Sequence, residues 1–145
     1  MNNQIYVRCL NCQTINRLFK DKLNNNPKCG KCKNPIQVAA KPVHASEKDF
    51  QQIIDNAVTP VVVDFYADWC GPCRAFSPVY EEFALTHSGE VLTVKVNVDQ
   101  NPGLSSKFGI SAVPTILIIN NGKVVQQISG APSKEHLESL VTPYI

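Results

Sequence analysis

A dense apolar run followed by a helical pattern marks the middle of the chain. Val61–Tyr66 is a continuous β-branched and aromatic stretch between turn residues, which is typical of a buried strand of a parallel sheet. Apolar residues then recur at spacings of three and four between positions 76 and 84, which predicts an amphipathic helix. Asp64 breaks the apolar run, although an unpaired carboxylate is expensive inside a sheet. The pattern therefore predicts a strand and a helix with one unusual charge in the strand.

Further periodic segments surround this pair. Ser46 and Asp49 are spaced as in a capping box, and Phe50 and Ile54 begin the buried stripe of the helix that follows. The other predicted elements are strands over 91–98, 115–119 and 123–129, a short helix over 102–108, and a last helix capped by Ser133. From Val61 onward the order is βαβαββα, which predicts an α/β fold with a central mixed sheet and helices on both faces.

Charge is distributed unevenly along the 145 residues. Residues 1–43 hold eight Lys or Arg against one Asp, a charge of +7, and residues 44–145 hold six against eleven acidic residues, a charge of −5. A basic amino-terminal segment is compatible with a nucleic-acid or acidic-protein partner. Neither an apolar run of about 18 residues nor a secretory signal pattern occurs, so we expect a cytoplasmic protein without membrane contact.

Four of the six cysteines form two CxxC pairs inside the basic segment. Cys9/Cys12 and Cys29/Cys32 are separated by 16 residues, which is typical of a zinc ribbon. A segment this short cannot fold on apolar burial alone, so we expect one Zn²⁺ to stabilise it, in a structural or redox-sensitive site. Two disulfides or four free thiols are the alternatives.

The domain boundaries follow from this spacing. Residues 1–36 are predicted to form the zinc-ribbon module, residues 37–43 a linker with little pattern, and residues 44–145 the α/β domain. Inside the second knuckle, Gly30 would suit a tight turn that needs positive φ.

The third pair, Cys70 and Cys73, lies where the buried strand meets the amphipathic helix. A thiolate at a helix N-terminus is stabilised by free N–H groups and the helix dipole, so we expect Cys70 to be an exposed nucleophile of low pKa. Cys73, one turn later, could attack a mixed disulfide at Cys70. Asp64 could accept the Cys73 proton if burial raises its pKa. The alternatives are a further metal knuckle for the cysteines and a salt bridge to Lys95 for Asp64.

Trp69-Cys70-Gly71-Pro72-Cys73 resembles the WCGPC active-site motif of thioredoxins. The resemblance spans about residues 44–145 and includes the strand aspartate Asp64, Lys95, the Val113-Pro114-Thr115 element, Gly122 and Gly130. Preceded by a four-cysteine module, the chain is similar to the zinc-binding thioredoxin 2 class of bacteria. Tyr66 departs from the family pattern, because most thioredoxins carry a second tryptophan there.

This resemblance implies a thioredoxin fold and an enzyme that reduces protein disulfides through Cys70 and Cys73. It further implies re-reduction by thioredoxin reductase and NADPH, with no organic cofactor bound to the chain. Lys95 would tune Asp64, and Pro114 would be cis and lie beside the cysteines, although trans is the default at an X-Pro bond.

The resemblance also implies a surface that receives disulfide-containing client proteins. Its members would be Trp69, Gly71, Pro72, Val113 and Gly130. From the sequence alone, Trp69 could instead belong to the core, and Val113 and Gly130 could be ordinary strand or loop residues.

Two further features, the basic ribbon and the three histidines, give weaker indications of function. Nucleic-acid binding by the ribbon is disfavoured, because only Tyr6 and Phe19 are available as aromatic residues between its basic side chains. None of the three histidines, His44, His87 and His136, neighbours a cysteine pair, so we expect them at the surface.

Overall fold

The computed structural model describes residues 4–9, 11–19, 22, 26–36 and 41–145. These residues contain two separate β-sheets. Most of the predicted linker, residues 37–40, lies outside the described residues, and the domain boundaries remain predictions. Within the described ranges, no helix is long and apolar enough to cross a membrane.

The amino-terminal module is a two-stranded antiparallel sheet. Strand β1 (Gln4–Arg8) pairs with β2 (Ile15–Phe19), and a further bridge joins Lys28 to Pro35. Among the side chains that the structure describes in this module, Cys9, Cys29 and Ile36 form a buried cluster, and Leu18 packs against it.

The second sheet is mixed, as the element order predicts. Its strands are β3 (Val43–His44), β4 (Val61–Tyr66), β5 (Leu92–Asn97), β6 (Thr115–Asn120) and β7 (Lys123–Ser129). Their spatial order is β3-β5-β4-β6-β7, with β3, β5 and β4 parallel and β6 and β7 antiparallel to their neighbours. The two-residue strand β3 was not predicted, because it is too short to show a periodic pattern.

Four helices cover this sheet within the described residues. They are α1 (Phe50–Asn56), α2 (Gly71–Thr86), α3 (Pro102–Lys107) and α4 (Lys134–Val141), and a 3-10 turn, Thr142–Tyr144, follows. Ser133 caps α4 as predicted, because its Oγ accepts a hydrogen bond from the His136 N–H at 3.1 Å. Of the predicted capping box only one half forms: the Asp49 carboxylate accepts from the Ser46 N–H at 2.7 Å, but α1 begins at Phe50, with Asp49 as its N-cap and no side-chain cap hydrogen bond. The α/β fold with helices on both faces is confirmed.

The sheet separates two apolar cores, because side chains alternate along each strand. Val61, Val63 and Phe65 pack in one core with residues of α1 and α3. Val62 packs in the other with residues of α2 and α4, on what we call the α2 face. By the same alternation, Asp64 and Lys95 point to the α2 face, which also carries the cysteine pair.

The sequence predicts His87 as a surface residue, but the structure places it between two carboxylates. Its Nδ1 is 3.1 Å from Glu90 Oε2, and its Nε2 is 2.7 Å from Glu138 Oε2. The ring also lies 4.8 Å from that of Phe83. The prediction failed because Glu138 is on α4, 51 residues away, where a local pattern cannot reveal it.

Candidate active site and metal centre

Cys70 and Cys73 meet at the amino-terminal end of α2. Cys70 is the N-cap residue, and its Sγ accepts a hydrogen bond from the Cys73 N–H at 3.1 Å. The two residues are joined by a disulfide across a Cα–Cα distance of 5.2 Å. The strand-to-helix position predicted for the pair is therefore confirmed, and the pairing of the two sulfurs disfavours a third metal knuckle.

Cys70 is buried in this disulfide form, contrary to the expectation of an exposed nucleophile. Only 4% of Cys70 is exposed, the same fraction as for Cys73. Tyr66, Val98 and Val113 pack against the cysteine pair, and Cys70 Sγ lies 3.7 Å from the Val113 carbonyl oxygen. The resemblance placed Val113 in the surface beside the cysteines, but it did not imply that this residue, 43 positions after Cys70, would help to bury the Cys70 sulfur.

The Val113–Pro114 peptide bond is cis, as the thioredoxin resemblance implied. The Pro114 carbonyl accepts a hydrogen bond from the Gly130 N–H at 2.8 Å, which ties the two loops together. Gly130 has φ 103°, a conformation that a side chain would strain. Val113, Pro114 and Gly130 are thus brought together beside Cys70.

The side chain of Trp69 lies at the surface and not in the core. It is 68% exposed, and its Nε1 donates a hydrogen bond to Asp99 Oδ2 at 2.9 Å. Gly71 and Pro72 are also exposed, at the start of α2. These three residues therefore offer accessible surface next to a buried disulfide.

Asn97 and Asp99 take part in the site although the sequence reasoning did not select them. Asn97 Oδ1 accepts from the Asp99 N–H at 2.9 Å, and Asn97 Nδ2 lies 3.3 Å from Asp68 Oδ2. Asn97 therefore joins the loop that contains Asp68 and Trp69 to the loop that contains Asp99, the residue that accepts the Trp69 hydrogen bond. A polar residue at the carboxyl end of a buried strand was the signal that could have identified it.

Asp64 is fully buried, and among the described residues neither of its carboxylate oxygens has a hydrogen-bond partner. Burial raises its pKa to about 7, and the positive charge of Lys95 acts in the opposite direction. The alternative of a salt bridge is not realised, although Lys95 faces Asp64 in the register of β4 and β5. Lys95 Nζ lies 4.6 Å from the centre of the Tyr66 ring and 3.4 Å from Ser77 Oγ.

The four cysteines of the ribbon converge on one point. Their Sγ atoms all lie within 4.8 Å of one another. The distances Cys9–Cys32 and Cys12–Cys29 are 3.7 and 3.6 Å between sulfurs. A tetrahedral ion about 2.3 Å from each sulfur would need separations of about 3.8 Å. The donor set and its spacing therefore fit a zinc ion, and none of the four is in a disulfide.

Hydrogen bonds to the sulfurs of Cys29 and Cys32 favour the thiolate form that a metal ligand requires. The Cys32 N–H and then the Asn16 side chain lower the pKa of Cys29 to about 6. The Asn34 N–H and then the Asn11 side chain lower the pKa of Cys32. The Cys12 N–H lowers the pKa of Cys9, but burial and the neighbouring Cys32 and Cys12 sulfurs outweigh it, so the pKa of Cys9 is raised.

The two knuckles share one backbone design. The N–H groups of Gln13 and Lys33 donate to the carbonyls of Cys9 and Cys29, at 2.9 and 3.0 Å. Gln13 and Lys33 have φ 67° and 66°, whereas Gly30, for which positive φ was expected, does not. Gly30 instead donates its N–H to Asn16 Oδ1 at 2.9 Å. The prediction placed the strained residue three positions too early in the knuckle.

Comparison with known families follows the same division of the chain. The thioredoxin family model matches residues 41–143, and the model of the thioredoxin 2 N-terminal domain, a zinc ribbon, matches residues 8–34.

Individual relatives match about two thirds to three quarters of the chain. A thioredoxin of Alicyclobacillus acidocaldarius is 47% identical over 94 residues, 65% of this chain and 89% of its own length. A thioredoxin 2 of Chlorobaculum tepidum is 40% identical over 108 residues, 74% of this chain and 99% of its own. A solved mutant thioredoxin of Halobacterium salinarum superposes with a TM-score of 0.69 at 29% identity, covering 74% of this chain and 94% of that one.

The fold and the cysteine pair define a protein disulfide oxidoreductase. The chain belongs to the thioredoxin family, in its zinc-binding thioredoxin 2 class.

Proposed function

We propose that the chain reduces disulfide bonds of client proteins and is re-reduced by thioredoxin reductase with electrons from NADPH. The observation that carries this proposal is the Cys70–Cys73 disulfide at the start of α2, beside the Val113–Pro114 loop. A disulfide at this place is the oxidised product of such a cycle. We further propose that the protein works in the cytoplasm, where free cysteines such as those of the ribbon stay reduced.

The reaction has two exchange steps. The Cys70 thiolate attacks one sulfur of the client disulfide, a mixed disulfide forms, and the other client sulfur leaves as a thiolate. The Cys73 thiolate then attacks Cys70 Sγ, the Cys70–Cys73 bond forms, and the second client thiolate leaves. Two electrons pass from the dithiol to the client. The Cys73 N–H, which already lies 3.1 Å from Cys70 Sγ, supports the assignment of Cys70 as the stabilised thiolate.

Asp64 is proposed to accept the proton of Cys73 before the second step. It lies on the α2 face, below the helix that carries Cys73, and burial raises its pKa to about 7. A carboxylate with that pKa is a far better proton acceptor near neutral pH than an exposed aspartate. Lys95 is proposed to tune Asp64 through its charge, which lowers the pKa of Asp64 without a direct ion pair.

Trp69, Gly71, Pro72, Val113 and Gly130 are proposed to contact the client, with Pro114 aligning the client backbone. Exposure of Trp69 and of the start of α2 supports this assignment. An extended client segment could approach the buried Cys70 sulfur along this surface, where Val113 packs against the cysteine pair.

For the amino-terminal module we propose one Zn²⁺ bound by Cys9, Cys12, Cys29 and Cys32. When bound, the ion would cross-link the two knuckles, whose four sulfurs converge on one point. Residues 1–36, 37–43 and 44–145 are proposed as ribbon, linker and thioredoxin domain.

The test is insulin reduction by the full chain, coupled to NADPH oxidation through thioredoxin reductase. The wild-type chain should consume NADPH in proportion to the thiols formed, and Cys70→Ser should consume none above background. Equal NADPH consumption by wild type and Cys70→Ser would contradict the proposal, as would no consumption by the wild type.

A further inference from the structure

Tyr66 lies between the cysteine pair and the charge of Lys95. Its half-buried ring packs against the cluster formed by Ala67, Cys70 and Cys73. The Lys95 ammonium lies 4.6 Å from the centre of the same ring, which is within the range of a cation–π contact. One side chain therefore contacts both the redox pair and the charge nearest to Asp64.

Two sites compete for the Lys95 ammonium. One consists of the Tyr66 ring and Ser77 Oγ, which is 3.4 Å from Nζ. The other is the Asp64 carboxylate, which lies opposite Lys95 in the strand register and has no hydrogen-bond partner in the part of the chain that the structure describes. The ammonium occupies the first site, although the second offers an unpaired acceptor of opposite charge.

Several other titratable groups surround the two sites. Asp64 is faced by Lys95 from β5 and by the hydroxyl of Tyr80 from α2, besides Tyr66 on its own strand. Burial, and next the Asp68 carboxylate, raise the pKa of Tyr66, so its ring stays neutral. His44 of β3 contacts the ring edge, with a distance of 6.4 Å between centres.

We propose that Tyr66 is a positioning residue, which holds the Lys95 ammonium against its ring and keeps it out of a direct ion pair with Asp64. The consequence for catalysis rests on the proposed role of Asp64 as proton acceptor. An ion pair would stabilise the ionised carboxylate and lower its pKa by about 1–3 pH units, which would weaken it as an acceptor for the Cys73 proton.

The experiment follows the titration of Asp64 in the oxidised full chain by NMR of carboxyl-labelled aspartate. In Tyr66→Leu the ring is absent and the ammonium can reach Asp64, so the titration midpoint should fall by about one pH unit or more. In Tyr66→Phe, the matched control, the ring face remains and the midpoint should stay within a few tenths of wild type. An unchanged midpoint in folded Tyr66→Leu would overturn the proposal.

A second arm tests whether Tyr66 acts through Lys95. In a Lys95→Met background, Tyr66→Leu should no longer lower the midpoint, because the ammonium is gone. If Tyr66→Leu lowered the Asp64 midpoint equally in the Lys95→Met background, the proposal would be overturned. The fall would then result from increased solvation of Asp64 and not from the Lys95 ammonium. Trp69 fluorescence reports folding, and Tyr66→Met, which also lacks a ring, replaces Tyr66→Leu if the latter does not fold.

The rate of the second exchange step separates this inference from the proposed function. If Asp64 accepts the Cys73 proton, the pH dependence of that step should move with the NMR midpoint in Tyr66→Leu. If the midpoint falls and the pH dependence does not, Tyr66 positions Lys95 as inferred and the proposed role of Asp64 is wrong.

Discussion

The carboxyl group of Asp64 links protein stability to pH. Its pKa rises from 3.8 to about 7 because of burial. The folded state therefore holds the proton more tightly than the unfolded state. The stabilisation that the bound proton contributes is complete below about pH 4, declines as the pH rises, and is lost above about pH 7.

Asp64→Asn should remove this dependence. Relative to wild type, the variant should gain about 4 kcal/mol in free energy of unfolding between pH 4 and pH 8, since each pH unit of pKa difference is worth about 1.4 kcal/mol. Denaturant unfolding at pH 4, 6 and 8 measures the difference. Glu81→Gln, the same change of charge at an exposed position of α2, is the control and should show no such gain. Parallel curves for wild type and Asp64→Asn would contradict the prediction.

The two active-site cysteines should differ in what their removal leaves behind. Cys73→Ser retains the attacking Cys70 but lacks the second sulfur, so it should accumulate a covalent client complex on mixing with oxidised insulin. Non-reducing electrophoresis and mass spectrometry measure the complex, which reductant should dissolve. Cys70→Ser is the matched control and should form little of it. A complex that forms only in Cys70→Ser would reverse the two roles.

At the scale of elements, the turns of the ribbon carry a strain that its strands do not. Gln13 and Lys33 occupy equivalent places in the two knuckles, both with the left-handed backbone that costs an ordinary residue about 1–2 kcal/mol. Hydrogen bonds to the Cys9 and Cys29 carbonyls maintain this geometry. Residues with a branched Cβ should tolerate it least.

Substitution of Lys33 should therefore change zinc affinity according to backbone preference. Lys33→Val should weaken binding about tenfold, whereas Lys33→Gly should bind as tightly as wild type or more so. Competition with a chromophoric chelator measures the affinity. Lys31→Val is the control, since it removes a charge of the same kind from the same knuckle without positive φ. Equal losses in Lys31→Val and Lys33→Val would show that charge, and not backbone conformation, determines the effect.

The elements themselves were largely predictable from the sequence, and their contacts were not. Val61–Tyr66 and the capping residue Ser133 follow from local patterns, and the charge of Asp64 stood out because its neighbours are apolar. Burial of Cys70 by Val113, and the contacts of His87 with Glu138, depend on side chains 43 and 51 residues away. A local sequence pattern does not specify which distant residues meet. The exposure of these side chains and the identity of their contacts therefore had to come from the structure.

At the scale of the molecule, the ribbon and the thioredoxin domain have separate apolar clusters. Of the ribbon side chains that the structure describes, three form its buried cluster, and two of these are cysteines proposed to bind metal. The domain has two larger cores, one on each side of its sheet. Loss of metal should thus affect the parts unequally.

Removal of zinc by a chelator should unfold the ribbon and leave the thioredoxin domain folded. Amide NMR signals of residues 11–19 and 26–36 should collapse toward unfolded positions, because the small cluster cannot replace the metal. The fluorescence of Trp69, the single tryptophan, and the rate of insulin reduction should stay within about twofold of the untreated protein. Excess zinc should restore the signals. Loss of the Trp69 signal together with the ribbon would contradict the prediction.

The residues on the two faces of the central sheet should be under different evolutionary constraints. Val61, Val63 and Phe65 face a core of aliphatic and aromatic side chains, whereas Asp64, which lies among them in the sequence, faces the side of the sheet that carries α2 and the cysteine pair. Mutations in the first core should therefore change stability more than they change the redox site, which this core meets at Val98. A single inserted or deleted residue in β4 would exchange the two sides. Lineages should accordingly vary freely in the composition of the first core and almost never in the length of this strand.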